Sequence, residues 1–148
     1  MASAVFTVKN YSYNSQWQPG MDAALAAWNA TATKASITKS SSSKNIITSA
    51  QFNATWFGYY TWYGTKLLGR TFTIELNAKT IVAQQAKYPG SGQANWVTGV
   101  FVHELGHALS LKDNPATSQS SIMTYRNDYT VWMKPQAYDI SDVKSIYG

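Results

Sequence analysis

The run His103-Glu104-Leu105-Gly106-His107, set in V-T-G-V-F-V-H-E-L-G-H-A-L-S-L-K-D, constrains this chain more than any other stretch. On an α-helix, residues four apart differ by about 40° in bearing and stack one turn over the next. His103 and His107 therefore point at one spot, at the separation two nitrogen ligands of a zinc ion need. Glu104 projects about 100° round from His103 and about 60° from His107, so it flanks the ion without ligating it. That is the place of a base for a metal-bound water. The bland alternative is a pair of satisfied core histidines. The chain holds only two His in 148 residues. A shuffle of the same composition gives this arrangement on the order of 1 time in 5,000, so the motif is read as a metal site.

A catalytic zinc takes three protein ligands and leaves one position for water. The chain has no further His and no Cys. Glu75 precedes the motif and no Glu follows it, which disfavours a third ligand from a Glu on a later helix. Asp113, Asp128, Asp139 and Asp142 remain. Asp113 follows His107 after the expected helix end and precedes Asn114-Pro115, which stops a helix. A chain that turns back sharply there brings Asp113 under the ion.

His103-Glu104-x-x-His107-x-x-Ser110-x-x-Asp113 resembles the long zinc signature of the metzincin metallopeptidases, in its snapalysin-like form with Asp as third ligand. Ser121-Ile122-Met123-Thr124-Tyr125 resembles the metzincin Met-turn, and the C-terminal stretch from Asp139 to Gly148 is similar to the last helix of matrixin catalytic domains. The resemblance implies a zincin-like α+β fold: a twisted mixed sheet of about five strands with an aromatic edge strand, two long helices packed on it, and a small C-terminal subdomain. It implies one domain over 1–148, divided into 1–107 and 108–148. It also implies one catalytic Zn²⁺ on His103, His107 and Asp113, Met123 as the apolar floor, and Glu104 as the base. Tyr125 takes the place of a tyrosine that reaches the zinc or the transition state in some members. The chain departs from the pattern at Ser110, where the family has Gly in the turn that ends the helix. An aspzincin-like site with Asp128 as third ligand is the alternative.

Charge and composition narrow the partners. Only 13% of residues are charged and the net charge is +5, with basic residues scattered singly. Neither a basic run nor a basic helix face is present, so nucleic acid is not an expected partner. No stretch approaches the length of a membrane span. The absence of Cys excludes disulfides and thiolate metal sites. Met1-Ala2-Ser3-Ala4 reads as a start residue placed on a mature domain, and the family resemblance implies a secreted protein.

Along the chain, Ala4 to Lys9 alternates as a first strand. Pro19 opens a helix whose stripe Met21, Leu25, Trp28 and Ala32 runs to about Lys34. Strands follow at 35–39 and 45–51. Trp56 to Gly64 is an aromatic strand, read as the edge that borders the cleft and pairs with an extended peptide. Gly58, Tyr59, Tyr60, Thr61 and Trp62 are its candidate substrate-binding residues, with Trp132 as a wall further on. Thr71 to Asn77 alternates as a neighbouring strand. Residues 78–92 read as a loop or ragged helix, 93–109 as the metal-site helix, and a last helix opens at Pro135. The expected activity is that of a secreted zinc endopeptidase acting as a monomer on peptide or protein substrates. A zinc-binding or adhesion-type domain without turnover is the alternative.

Overall fold

A computed structural model describes residues 3–12, 14–15, 17–65, 69–90, 92–124 and 133–148. Tyr125, Asp128 and Trp132 lie outside the described residues. The elements run β1 (Val5–Val8), α1 (Gln18–Asn29), β2 (Ser36–Lys39), β3 (Ile46–Ala50), β4 (Gly58–Thr65), β5 (Gly69–Asn77), α2 (Ala78–Lys87), α3 (Gln93–Ala108) and α4 (Ala137–Tyr147).

The architecture is α+β, but the single sheet of about five strands does not form. Two small sheets take its place: β1 and β2 pair in parallel, and β3, β5 and β4 lie side by side in that order. β5 runs parallel to β3 and antiparallel to β4. The seam between the sheets has a local cause. Lys9 N–H donates to Asn45 O at 2.7 Å. Beyond that bond the buried Asn45 side chain spans the gap: Nδ2 donates to Thr7 O at 2.8 Å, and Oδ1 accepts from Phe72 N–H at 3.1 Å. A side-chain amide stands where strand ladder bonds would run. The expectation of two long helices is corrected as well, since four helices are present among the described residues.

α1 starts with Pro in its first turn, where a missing N–H costs nothing. Met21, Ala24, Leu25 and Trp28 bury one stripe. The helix stops at Asn29, short of Ala32, because Asn29 turns its side chain to β2. Its Nδ2 donates to Ile37 O and its Oδ1 accepts from Ile37 N–H, both at 2.8 Å. α1 lies against α3, pinned by Trp28 Nε1–H to Val102 O at 2.9 Å and by Thr98 Oγ1–H to Gly20 O at 2.9 Å.

α3 is the central element. Val97, Val100, Phe101, Val102 and Leu105 are buried on it, together with Phe72, Ile74 and Leu76 of β5. A helix buried nearly all round needs apolar residues on most of its surface. Three polar side chains on it, Thr98, His103 and Glu104, are buried too. α2 is a regular helix rather than a ragged one, and Asn77 caps it by accepting from Lys79 N–H at 3.2 Å. α4 opens on a capping box between Gln136 and Asp139.

Candidate metal centre

The site begins where α3 ends. Ser110 N–H donates to His107 O at 2.9 Å and Leu111 N–H to Gly106 O at 2.9 Å. These are the two bonds of a Schellman stop, which needs a left-handed residue between them. Ser110 is that residue, at φ 70°. With a Cβ in that region the turn costs about 1 kcal/mol or more. The turn reverses the chain and carries Asp113 back over the helix face that bears the two histidines.

His103 Nε2 lies 3.2 Å and His107 Nε2 3.3 Å from Asp113 Oδ1. The three candidate ligand atoms all fall within 4.8 Å of one another. Tetrahedral zinc with bonds of about 2.0–2.2 Å separates its ligand atoms by about 3.4 Å, so the spacing fits such an ion. The ring orientations fit as well. His103 Nδ1 donates to Ile122 O at 2.7 Å and His107 Nδ1 to Leu111 O at 2.9 Å. A carbonyl only accepts, so both Nδ1 atoms carry hydrogen and both Nε2 lone pairs are presented to the site. Such backing is what orients imidazole ligands at metals.

Without an ion the same groups perturb one another. Burial works against the charged form of His103, but the hydrogen bond it donates to Asp113 and the nearby Glu104 outweigh it and raise its pKa. Burial, with the neighbouring His103 charge, lowers that of His107. Burial pushes the Glu104 carboxyl up to about 7, opposed by His103 and reinforced by Asp113.

Glu104 is buried at the wall of a cleft of about 420 Å³. Space for it comes from β4. A Cβ on Gly58 would stand 2.7 Å from both Cγ and Oε1 of Glu104. Beneath the site, Met123 packs against Gly106, where a Cβ would meet its Sδ at 2.6 Å. The turn that carries Met123 is tied down by Asp139 of α4. That carboxylate accepts from Ser121 Oγ–H at 2.5 Å, from Ile122 N–H at 3.0 Å and from Gln136 N–H at 2.8 Å.

The structure thus brings together His103, His107 and Asp113, with Glu104 beside them and Met123 below. Gly58, Tyr59 and Tyr60 line the cleft, and the Tyr60 ring lies 5.8 Å from that of His107. Thr61 and Trp62 are not among the lining residues; Trp62 sits further along β4 with Arg70 over its ring at 4.5 Å. Trp56 and Phe57 line the cleft although neither stood among the substrate-binding candidates. Their signal in the sequence is the aromatic run that starts at Trp56. His103, His107 and Asp113 would hold a zinc ion here, and such an ion would supply a Lewis acid beside the cleft.

No protein-family model matches the chain, and none of the curated proteins is similar to it. Among solved structures the chain is similar to one titled the GM1-bound form of the ECX AB5 holotoxin. The TM-score is 0.66 and the identity 13%, over 97% of this chain and 80% of the matched chain. At that identity the likeness concerns the fold alone. These findings correct the metzincin assignment, with its snapalysin-like and matrixin-like parts: no family model carries it, and the structure matched is described as a GM1-bound toxin assembly. The zinc endopeptidase activity, with its classification as a peptide-bond hydrolase and its peptide substrate, falls with that assignment. Among the described residues no helix is long and apolar enough to cross a membrane.

Proposed function

We propose that this chain is a zinc-binding domain. His103, His107 and Asp113 would hold one ion beside an aromatic-walled cleft, where it would supply a Lewis acid toward an oxygen donor of a ligand. The observation that carries this reading is the approach of Asp113 Oδ1 to both Nε2 atoms, at 3.2 and 3.3 Å, while both Nδ1 atoms are committed to backbone carbonyls. The wall formed by Trp56, Phe57, Tyr59 and Tyr60 supports a ligand with flat or apolar surface beside its donor. The likeness to a toxin chain supports a protein that works outside the cell and makes GM1-bearing vesicles the first ligand to try.

Metal analysis of the purified chain tests the reading. One equivalent of zinc is expected in the wild type and none in His107→Ala or Asp113→Ala. A metal-free wild type that takes up no added zinc overturns it. Incubation of the zinc-loaded chain with GM1 vesicles and, separately, with casein tests what the ion serves. Retention on the vesicles that zinc removal abolishes agrees with a binding domain. Casein cleavage that Glu104→Gln abolishes overturns it.

A further inference from the structure

We propose that Tyr147, the last residue of α4, is a positioning residue for the Asp113 ligand and acts through Ser110; the proposal rests on the zinc-binding reading. Asp113 is the least enclosed of the three ligands. Its side chain is 37% exposed, against 7% for His103 and 18% for His107. Packing therefore does little to fix it, and its place depends on the path of residues 110–114.

That path is gripped from α4 on both sides of Asp113. Ser110 Oγ and Tyr147 OH are hydrogen-bonded at 2.8 Å, and Asn114 Nδ2 donates to Tyr138 OH at 3.3 Å. Ser110 is, among the described residues, the sole non-glycine at positive φ. Glycine is the default at such a stop, so a serine there is strained and gives a tether in return. Glycine would relax the turn and release it from α4. The hydroxyl bond holds the reversal in the one orientation that returns Asp113 to the histidines. A group two steps removed from the metal still tunes affinity when it fixes where a ligand stands.

The experiment measures zinc affinity by chelator competition, together with the melting temperature, on the full chain. Tyr147→Phe keeps the ring and loses only the hydroxyl. It is expected to weaken zinc binding by roughly 3- to 10-fold, the value of one hydrogen bond. Ser110→Ala is expected to weaken it to a similar degree, and the double variant no further, because both changes remove the same bond. Ser110→Gly relieves the turn, so its melting temperature holds or rises while its zinc affinity falls. A Tyr147→Phe chain that melts lower yet binds zinc as the wild type does would leave Tyr147 a packing residue and overturn the proposal. Fully additive losses in the double variant would overturn it too. Failure of the wild type itself to bind zinc is a distinct result, which sinks the zinc-binding reading and this inference with it.

Discussion

Glu104 is the residue whose chemistry depends most on its surroundings. Its carboxyl, ordinarily near 4.5, is raised by burial to about 7. The folded, metal-free chain therefore keeps a proton that the unfolded chain releases. Stability from this group is complete below about pH 4.5 and is lost as pH rises through about 7, on the order of 3 kcal/mol in all. His103, whose pKa is also raised, loses its contribution in the same direction. His107, whose pKa is lowered, works the other way and gains stability as pH rises toward its unfolded value. The melting temperature of the metal-free chain is therefore expected to fall chiefly between about pH 6.5 and pH 8, and less steeply in Glu104→Gln; equal slopes would show that Glu104 is not held neutral by burial. Gly58 makes room for that carboxyl. Gly58→Ala is expected to destabilise by about 1–3 kcal/mol through overpacking, read by urea denaturation. Glu104→Ala in the same chain should recover part of the loss, because the added Cβ meets Glu104 Cγ and Oε1 at 2.7 Å.

Elements carry the next level of control, and α4 is the clearest case. Asp139 gathers three donors from the Met123 turn and from its own helix start, and the carbonyl of Ile122 in that turn backs His103. Asp139→Asn sets an amide against those donors and is expected to cost about 1.5–3 kcal/mol, measured by chemical denaturation. An unchanged midpoint would show that the turn is held by packing alone. How readable each element was in the sequence follows from what fixes it. α3 and the start of α1 were readable because their apolar residues recur at helical spacing and Pro19 marks an entry. α2 was not, since Ile81 is its one buried residue and its start is set by the Asn77 side chain. The end of α1 was also missed. Ala32 continues the apolar stripe, but Asn29 bonds across to Ile37, a long-range contact that periodicity does not register. Three site residues, His103, Glu104 and His107, share one helix, so spacing alone placed them relative to one another. Asp113 depends on a left-handed serine, which local propensity argues against.

For the whole molecule, metal and fold are expected to be coupled, because the ligands come from α3 and from the segment that leaves it. At free zinc about 100 times the dissociation constant, stability should rise by about 2.7 kcal/mol. Thermal melts with and without a chelator check this: the wild type should shift and His107→Ala should not. The division of the strands into two sheets was beyond the sequence. β1 and β5 alternate as members of one sheet would, β2 and β3 read only as short strands, and nothing local shows that Asn45 stands between β1 and β5. That single carboxamide has a consequence for motion. Amide deuterium uptake in the β1–β2 pair should proceed as a cooperative unit separate from β3–β5–β4, and the edge that opens first should be the one Thr7 presents to Asn45.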